Sequence, residues 1–192
     1  MDRIRSFLAV DFGAFYKEEL KSILSGLQGT PLCVKWIDPE QVHLTLHFFG
    51  SIDQKAIGSV IKNLEEVLAG QNPIEVYLKG LGAFPNPSHA RVIWAGIDGN
   101  VGELEELKER VDQSLEKIGI TSEKRFFKPH LTLGRLRQPD KNLPAILEPF
   151  SGFICPRNFH IDRLVLFRSD LEPRGPRYSP MHYFMFRKAD VQ

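Results

Sequence analysis

Hydrophobic positions along this chain repeat at two periods, and the switches between them mark its elements. Arg5–Asp11 (RSFLAVD) reads as a short strand and Ala14–Leu27 as a helix, with Gly13 as the break between them. Cys33–Ile37 is a second apolar run, and Val42–Phe49 alternates apolar and polar residues as a half-buried strand does. Over Ile52–Leu68 the spacing changes: Ile57, Val60, Ile61, Leu64 and Leu68 recur at three and four, which predicts a helix ended by Gly70. Ile74–Leu81 and Arg91–Ile97 read as strands joined by a turn-rich loop containing Phe84-Pro85-Asn86-Pro87-Ser88. Val101–Ile118 carries Leu104, Leu107, Val111, Leu115 and Ile118 at helical spacing and stops at Gly119. Phe126–Leu136 is a further strand. Phe159–Arg168 and Tyr178–Arg187 form a closing antiparallel pair around the Pro-, Gly- and Arg-rich loop Leu171–Pro176.

The strands alternate rather than run continuously apolar. That pattern favours antiparallel sheets with one face covered by helices, an α+β fold. No low-complexity linker divides residues 1–192, so a single domain is expected. Within it, one tetrapeptide occurs twice: His43-Leu44-Thr45-Leu46 and His130-Leu131-Thr132-Leu133, 87 residues apart. The spacing is close to half the chain and hints at two related lobes.

Composition narrows the class. The chain has 192 residues, 42% apolar and 26% charged, the proportions of a globular protein with a sizeable core. Cys33 and Cys155 form neither a disulfide framework nor a metal motif, and they fit a reducing compartment. The apolar run after Arg3 and Arg5 stops at Asp11, too soon for a signal segment, so a cytoplasmic location is expected. The net charge of +1 argues against nonspecific coating of long nucleic acid. It is unevenly spread, however: residues 1–123 carry 12 Lys/Arg against 18 Asp/Glu, and residues 124–192 carry 13 against 6. A basic C-terminal part suits an anionic ligand.

The chemistry lies in the repeated tetrapeptide. Period two puts His and Thr on one strand face and both leucines on the other. Two such strands face to face would surround one cavity with two imidazoles and two hydroxyls. Histidine titrates near neutrality and can give or take a proton, while a hydroxyl can donate to a non-bridging phosphate oxygen where charge builds. The acidic first part of the chain favours imidazolium at His43, and the basic second part favours a neutral His130. Thr45 and Thr132 lie roughly 6–7 Å along the strand from their histidines on the same face.

With their flanks, these residues resemble the 2H phosphoesterase superfamily, named for two His-x-Thr-x motifs, and within it the RNA 2',3'-cyclic phosphodiesterases, or 2'-5' RNA ligases. The resemblance runs through Arg5–Asp11, through Trp36-Ile37-Asp38-Pro39-Glu40-Gln41-Val42-His43-Leu44-Thr45-Leu46, and through Ala90-Arg91-Val92-Ile93-Trp94-Ala95-Gly96. It continues in Phe127-Lys128-Pro129-His130-Leu131-Thr132-Leu133-Gly134-Arg135 and in Gly175-Pro176-Arg177-Tyr178. It implies a bilobal fold of two antiparallel β-sheets with helices packed outside and a central cleft. It implies hydrolysis of RNA 2',3'-cyclic phosphodiester ends to 2'-phosphates, with reverse 2'-5' ligation as a side activity. It also implies His43 as proton donor and His130 as proton acceptor. RNA 3' ends or small nucleotides bearing a 2',3'-cyclic phosphate are the expected partners. No cofactor, metal, membrane or obligate protein partner is expected, and nothing demands more than a monomer.

Other residues are candidates with a structural alternative beside each. Phe7, Phe48, Phe84, Trp94 and Phe127 could stack a base or belong to the core. Arg91, Arg135, Arg168, Arg174 and Arg177 could contact phosphate or the substrate backbone, or be ordinary solvated charges, and Tyr178 is a further candidate for substrate binding. Arg135 has the best motif context, but strict alternation turns it away from the cleft unless a bulge or twist intervenes. The same alternation puts Gly134 on the cleft face, leaving room for substrate. A regular strand would also put His47 on the face of His43, roughly 13 Å away and too far to share a metal ion. His89, His160 and His182 read as surface or satisfied polar groups. The residues leave open an RNA-binding module that only holds a phosphate, a phosphodiesterase for another small cyclic phosphate, and ligation as the main activity.

Overall fold

The computed structural model describes residues 3–121, 127–155, 157–173 and 175–187, apart from the side chains of residues 13–15. The strands are β1 (Arg3–Val10), β2 (Val34–Trp36), β3 (Leu44–Asp53), β4 (Ile74–Phe84), β5 (Val92–Gly99), β6 (His130–Leu136), β7 (Phe159–Ile161), β8 (Arg163–Glu172) and β9 (Gly175–Met185). The helices are α1 (Gly13–Gln28), α2 (Ala56–Leu68), α3 (Val101–Lys117) and the short α4 (Leu143–Leu147). They build two antiparallel sheets, one ordered β3-β1-β8-β9 and the other β2-β6-β5-β4-β7. The α+β architecture read from the alternation is the one observed.

The helices follow their apolar stripes. Val60, Leu64 and Leu68 of α2 and Leu104, Leu107, Val111 and Leu115 of α3 are buried. These two helices back the four-stranded sheet, and polar contacts fix them there: His182 of β9 meets Glu65 of α2 at 3.1 Å, and His47 of β3 meets Asp112 of α3 at 2.9 Å. Helix α1 buries Tyr16, Leu20, Leu24 and Leu27 behind the five-stranded sheet, where Tyr16 packs on Phe159 of β7. Gly70 and Gly119 take the left-handed conformation after α2 and α3 (φ 81° and 80°), which a side chain would resist. No helix among the described residues is long and apolar enough to cross a membrane.

Several boundaries differ from the sequence reading, each for a local reason. Strand β3 continues to Asp53, because Ser51–Asp53 pair with Arg3–Arg5, and so α2 starts at Ala56 rather than Ile52. Strand β6 starts at His130: Pro129 has no N–H for the ladder, and the expected start at Phe126 lies outside the described residues. The expected strand Phe159–Arg168 breaks at Asp162 and its two pieces join different sheets, β7 pairing with β4 and β8 with β1 and β9. Leu171, Glu172, Gly175 and Pro176, expected in a loop, pair with one another and extend the β8–β9 hairpin.

The two sheets are not consecutive halves of the chain. Strand β2 leaves the first half to pair with β6, while β8 and β9 return from the C-terminal part to β1. One cluster of buried side chains is shared by elements of both sheets. This interleaving brings the two motif strands, β3 and β6, within 8 Å between Cα atoms.

Candidate active site

Both motifs are built alike. Thr45 pairs with Ala9 on the neighbouring strand, Leu46 is skipped, and His47 pairs with Leu8. In the second motif, Thr132 pairs with Trp94, Leu133 is skipped, and Gly134 pairs with Ile93. Each tetrapeptide thus ends in a β-bulge immediately after its threonine. A bulge sends two successive side chains to the same side of the sheet. All four motif leucines are buried, as the alternation predicts.

The bulges overturn the alternation beyond the motifs. His47 does not share the His43 face. It is 3% exposed on the helix side of the sheet, with Nδ1 donating to the Asp112 carboxylate, and Lys108 pairs with the same carboxylate. Gly134 does not line the cleft. A Cβ there would lie 2.5 Å from Val34 Cγ1 and 2.8 Å from Trp36 Cε3, so the glycine admits those side chains rather than a substrate. Arg135, displaced by one position, pairs with Val92 and shares the cleft face with Trp94 and Thr132. A second bulge at Phe49 leaves Phe48, 55% exposed, beside Phe7 on the cleft face of the other sheet.

The histidines are held by a matched backbone device. His43 Nδ1 lies 2.7 Å from the Gln41 carbonyl, and His130 Nδ1 lies 2.6 Å from the Lys128 carbonyl, each two residues upstream. A carbonyl only accepts, so each Nδ1 carries a proton and each Nε2 is left for chemistry. Their aromatic surroundings differ. His43 stacks on Phe7 at 4.7 Å and meets the edge of Tyr178 at 5.1 Å, and Phe7 stacks in turn on Phe167. His130 meets Phe84 edge-on at 4.8 Å and Trp94 at 6.3 Å, with Lys128 Nζ 4.3 Å over the Trp94 ring.

Burial pushes the pKa of His43 below the ordinary histidine value, while the Gln41 carbonyl and Asp11 pull it back up. Burial lowers His130 as well; the Lys128 carbonyl opposes this, and the cationic Lys128 and Arg135 add to it. The charges beside the two rings therefore differ in the sense expected from the uneven charge of the chain. At His43, however, desolvation outweighs the carboxylate. Burial also raises Tyr178, against the nearby Arg135 and Arg5.

A cavity of about 120 Å³ opens at His43, lined by Asp11, Gln41, Phe167, Arg177 and Tyr178 among others. A larger hollow, about 470 Å³, runs along α3 between Glu105, Asp112 and Phe127 on the helix side of the sheet. Of the other candidates, Arg177 lies 3.8 Å from Glu172. Arg168 pairs with Asp170 and sits opposite the buried Ser6, on the face turned from the cleft. Arg91 is exposed at the lead-in to β5, and Arg174 lies outside the described residues. His89, His160 and His182 are partnered by Asn86, Glu75 and Glu65. Among the described residues no group of His, Cys, Asp or Glu is arranged to hold a metal ion. Sequence reasoning missed the two backbone carbonyls, which no side-chain pattern reveals. It also missed Asp11, Lys128 and Phe167. Arg5 and Lys35 were missed too, although period two from Phe7 would have placed Arg5 on the cleft face.

Two interleaved antiparallel sheets, one entered through His43 and Thr45 and the other through His130 and Thr132, define a class, and comparison with known proteins gives the same one. The chain belongs to the 2'-5' RNA ligase superfamily, whose profile matches residues 18–173. It is 32% identical over 184 residues to the RNA 2',3'-cyclic phosphodiesterase of Methanothermobacter thermautotrophicus, covering 95% of this chain and 98% of that one. It is 34% identical to the protein of the same name from Archaeoglobus fulgidus, covering 94% and 99%. Among solved structures, a Thermus thermophilus protein superposes with a TM-score of 0.81 at 26% identity over 96% of this chain and 99% of that one. E. coli LigT complexed with 3'-AMP shares the fold, with a TM-score of 0.75 at 19% identity over 96% and 99%.

Proposed function

We propose that this protein hydrolyses 2',3'-cyclic phosphodiester ends of RNA to 2'-phosphomonoesters, with His43 as proton donor and His130 as proton acceptor. The observation that carries the reading is the matched pair of imidazoles, each with Nδ1 tied to a carbonyl and Nε2 left for chemistry, His43 just before β3 and His130 opening β6, two strands that approach within 8 Å. Opening a cyclic phosphate needs a nucleophile and a leaving oxygen roughly in line through phosphorus. Water attacks phosphorus while His130 Nε2 takes its proton. The P–O3' bond breaks, and His43 gives its Nε2 proton to O3'. Phosphate remains on O2'. Thr45 and Thr132, at matching places before the two bulges, donate to the non-bridging oxygens as their charge grows.

Asp11 favours the charged form of His43, and the cyclic phosphate anion adds to it; Lys128 and Arg135 favour the neutral form of His130. That asymmetry supports the assignment of roles. Arg135 and Tyr178 flank the phosphate position, Phe7 backs His43, and Phe48 offers an exposed ring to a base. Arg91 serves only at the rim. The relatives' shared name supports the substrate. A 5'-hydroxyl in place of water gives, through the same displacement, a 2'-5' linkage, and the abundance of water makes that the minor course.

The test is a short RNA ending in a 2',3'-cyclic phosphate, its product compared by chromatography with authentic 2'- and 3'-phosphate strands. The 2'-phosphate is expected. Thr45→Val and Thr132→Val should each lower kcat by about 10–100-fold. A 3'-phosphate product, or Thr→Val variants with unchanged kcat, contradicts the reading.

A further inference from the structure

The cleft carries more positive charge than one cyclic phosphate between two histidines requires. Lys35 of β2 pairs directly with Arg135 of β6. Their neighbours Trp36 and Gly134 pack against each other on the core side, so Lys35 and Arg135 project together on the cleft side. Lys35 Nζ lies 3.7 Å from the place a Cβ would occupy on Gly175, the first residue of β9 in the opposite sheet. It therefore reaches across one end of the cleft. Three residues along β9, Tyr178 feels both Arg135 and Arg5, the latter on the cleft face of β1 two residues before Phe7. Arg5, Lys35 and Arg135 thus gather around the segment Gly175–Tyr178. Among the described residues none of the three has a carboxylate within 4 Å, whereas Lys17, Lys79, Arg168 and Arg177 do. Asp11 and Arg177 line the cavity beside His43 together with Glu40, whose carboxylate pairs with Lys17 at 2.7 Å.

We propose that Lys35 and Arg5 form a subsite for a second phosphate, the one on the 5' oxygen of the terminal nucleoside, so that the protein prefers strand ends to bare nucleoside cyclic phosphates. This rests on the reading of the His43–His130 cleft given above. The bare nucleoside cyclic phosphate places its single charge between the histidines and threonines and leaves these two cations unused. A 5'-phosphate, or the phosphodiester of a longer strand, meets them. Lysine, a point charge on a flexible stem, tolerates the varied geometry of single strands, and the attraction is read without regard to base.

The experiment compares kcat/KM for adenosine 2',3'-cyclic phosphate, the same nucleotide carrying a 5'-phosphate, and a trinucleotide ending in the cyclic phosphate. The wild-type protein should favour the second and third substrates by about tenfold, the scale of charge-assisted contacts. Its log(kcat/KM) should fall more steeply with log salt for them, by about 0.7 per phosphate neutralised. Lys35→Gln combined with Arg5→Gln should remove both the preference and the extra slope while leaving the bare nucleotide within about twofold, because neither side chain holds the reacting phosphate. Both residues are exposed, and an unchanged melting curve confirms the folded double variant. Equal rates on all three substrates, or a preference that survives the double substitution, overturn the subsite while leaving the hydrolase reading intact. Turnover of none of the three overturns the hydrolase reading itself, and the subsite with it.

Discussion

At the scale of single residues, two backbone carbonyls decide the chemistry of the site. By accepting from Nδ1, Gln41 and Lys128 fix the tautomer of His43 and His130, and burial then lowers both imidazoles below the ordinary value of about 6.5. The consequence is a bell-shaped profile of kcat/KM with its maximum on the acid side of neutrality. Activity falls on the acid limb as His130 gains a proton and on the alkaline limb as His43 loses one. The bound phosphate anion supports imidazolium at His43, so the alkaline limb of kcat should lie at higher pH than that of kcat/KM. Steady-state rates between about pH 4 and 9 check both statements, and a maximum well above about pH 7 contradicts them. Histidine, threonine and the motif leucines were legible in the sequence because each follows period two. Gly134 was not: its lack of a side chain read as space for substrate, whereas Trp36 and Val34 fill that space. Gly134→Ala should therefore cost about 1–3 kcal/mol through overpacking, measured by thermal or urea melts.

Elements show why pattern reading succeeded for the motifs and failed just past them. Helices α2 and α3 were visible as apolar stripes because each exposes its other face to water. The bulges after Thr45 and Thr132 were invisible because nothing in a single strand's alternation reveals where its partner skips a residue. Yet those bulges turn Arg135 into the cleft and His47 out of it. His47 then ties the first motif strand to α3 through Asp112, whose carboxylate also accepts from Lys108. Burial alone would raise Asp112, but hydrogen bonds from His47 and Lys108 outweigh it and hold its pKa below the usual value. A depressed carboxylate stabilises the fold above its unfolded pKa, and that stabilisation is lost as pH falls through the folded one. Asp112→Asn should thus lower stability by about 1–2 kcal/mol at pH 7, with the gap to wild type closing as pH drops below about 4. Urea melts at several pH values measure this, and a gap that widens on acidification contradicts it.

Across the whole molecule, the site exists because the chain weaves between its two sheets. Local periodicity recovers most strands and helices in order, but not their partners. Asp162 splits one apparent strand between two sheets, and β2 crosses to pair with β6, matters of long-range pairing that such periodicity does not encode. The repeated His-x-Thr-x motif was the clearest long-range signal in the sequence, and the fold brings its two strands within 8 Å between Cα atoms. Charge is spread unevenly around the cleft: Asp11, Glu40 and Arg177 line the cavity at His43, and the cations Lys35 and Arg135 meet where β2, β6 and the start of β9 come together. Central to the proposed function is that two histidines, one from each sheet, open a cyclic phosphate without a metal. The most direct measurement incubates an RNA ending in a 2',3'-cyclic phosphate with the wild-type protein, His43→Ala and His130→Ala, all in excess EDTA. The wild type should open the ring at an undiminished rate, and each variant should lose at least about 100-fold in kcat. Activity abolished by EDTA, or retained by either variant, would contradict this mechanism.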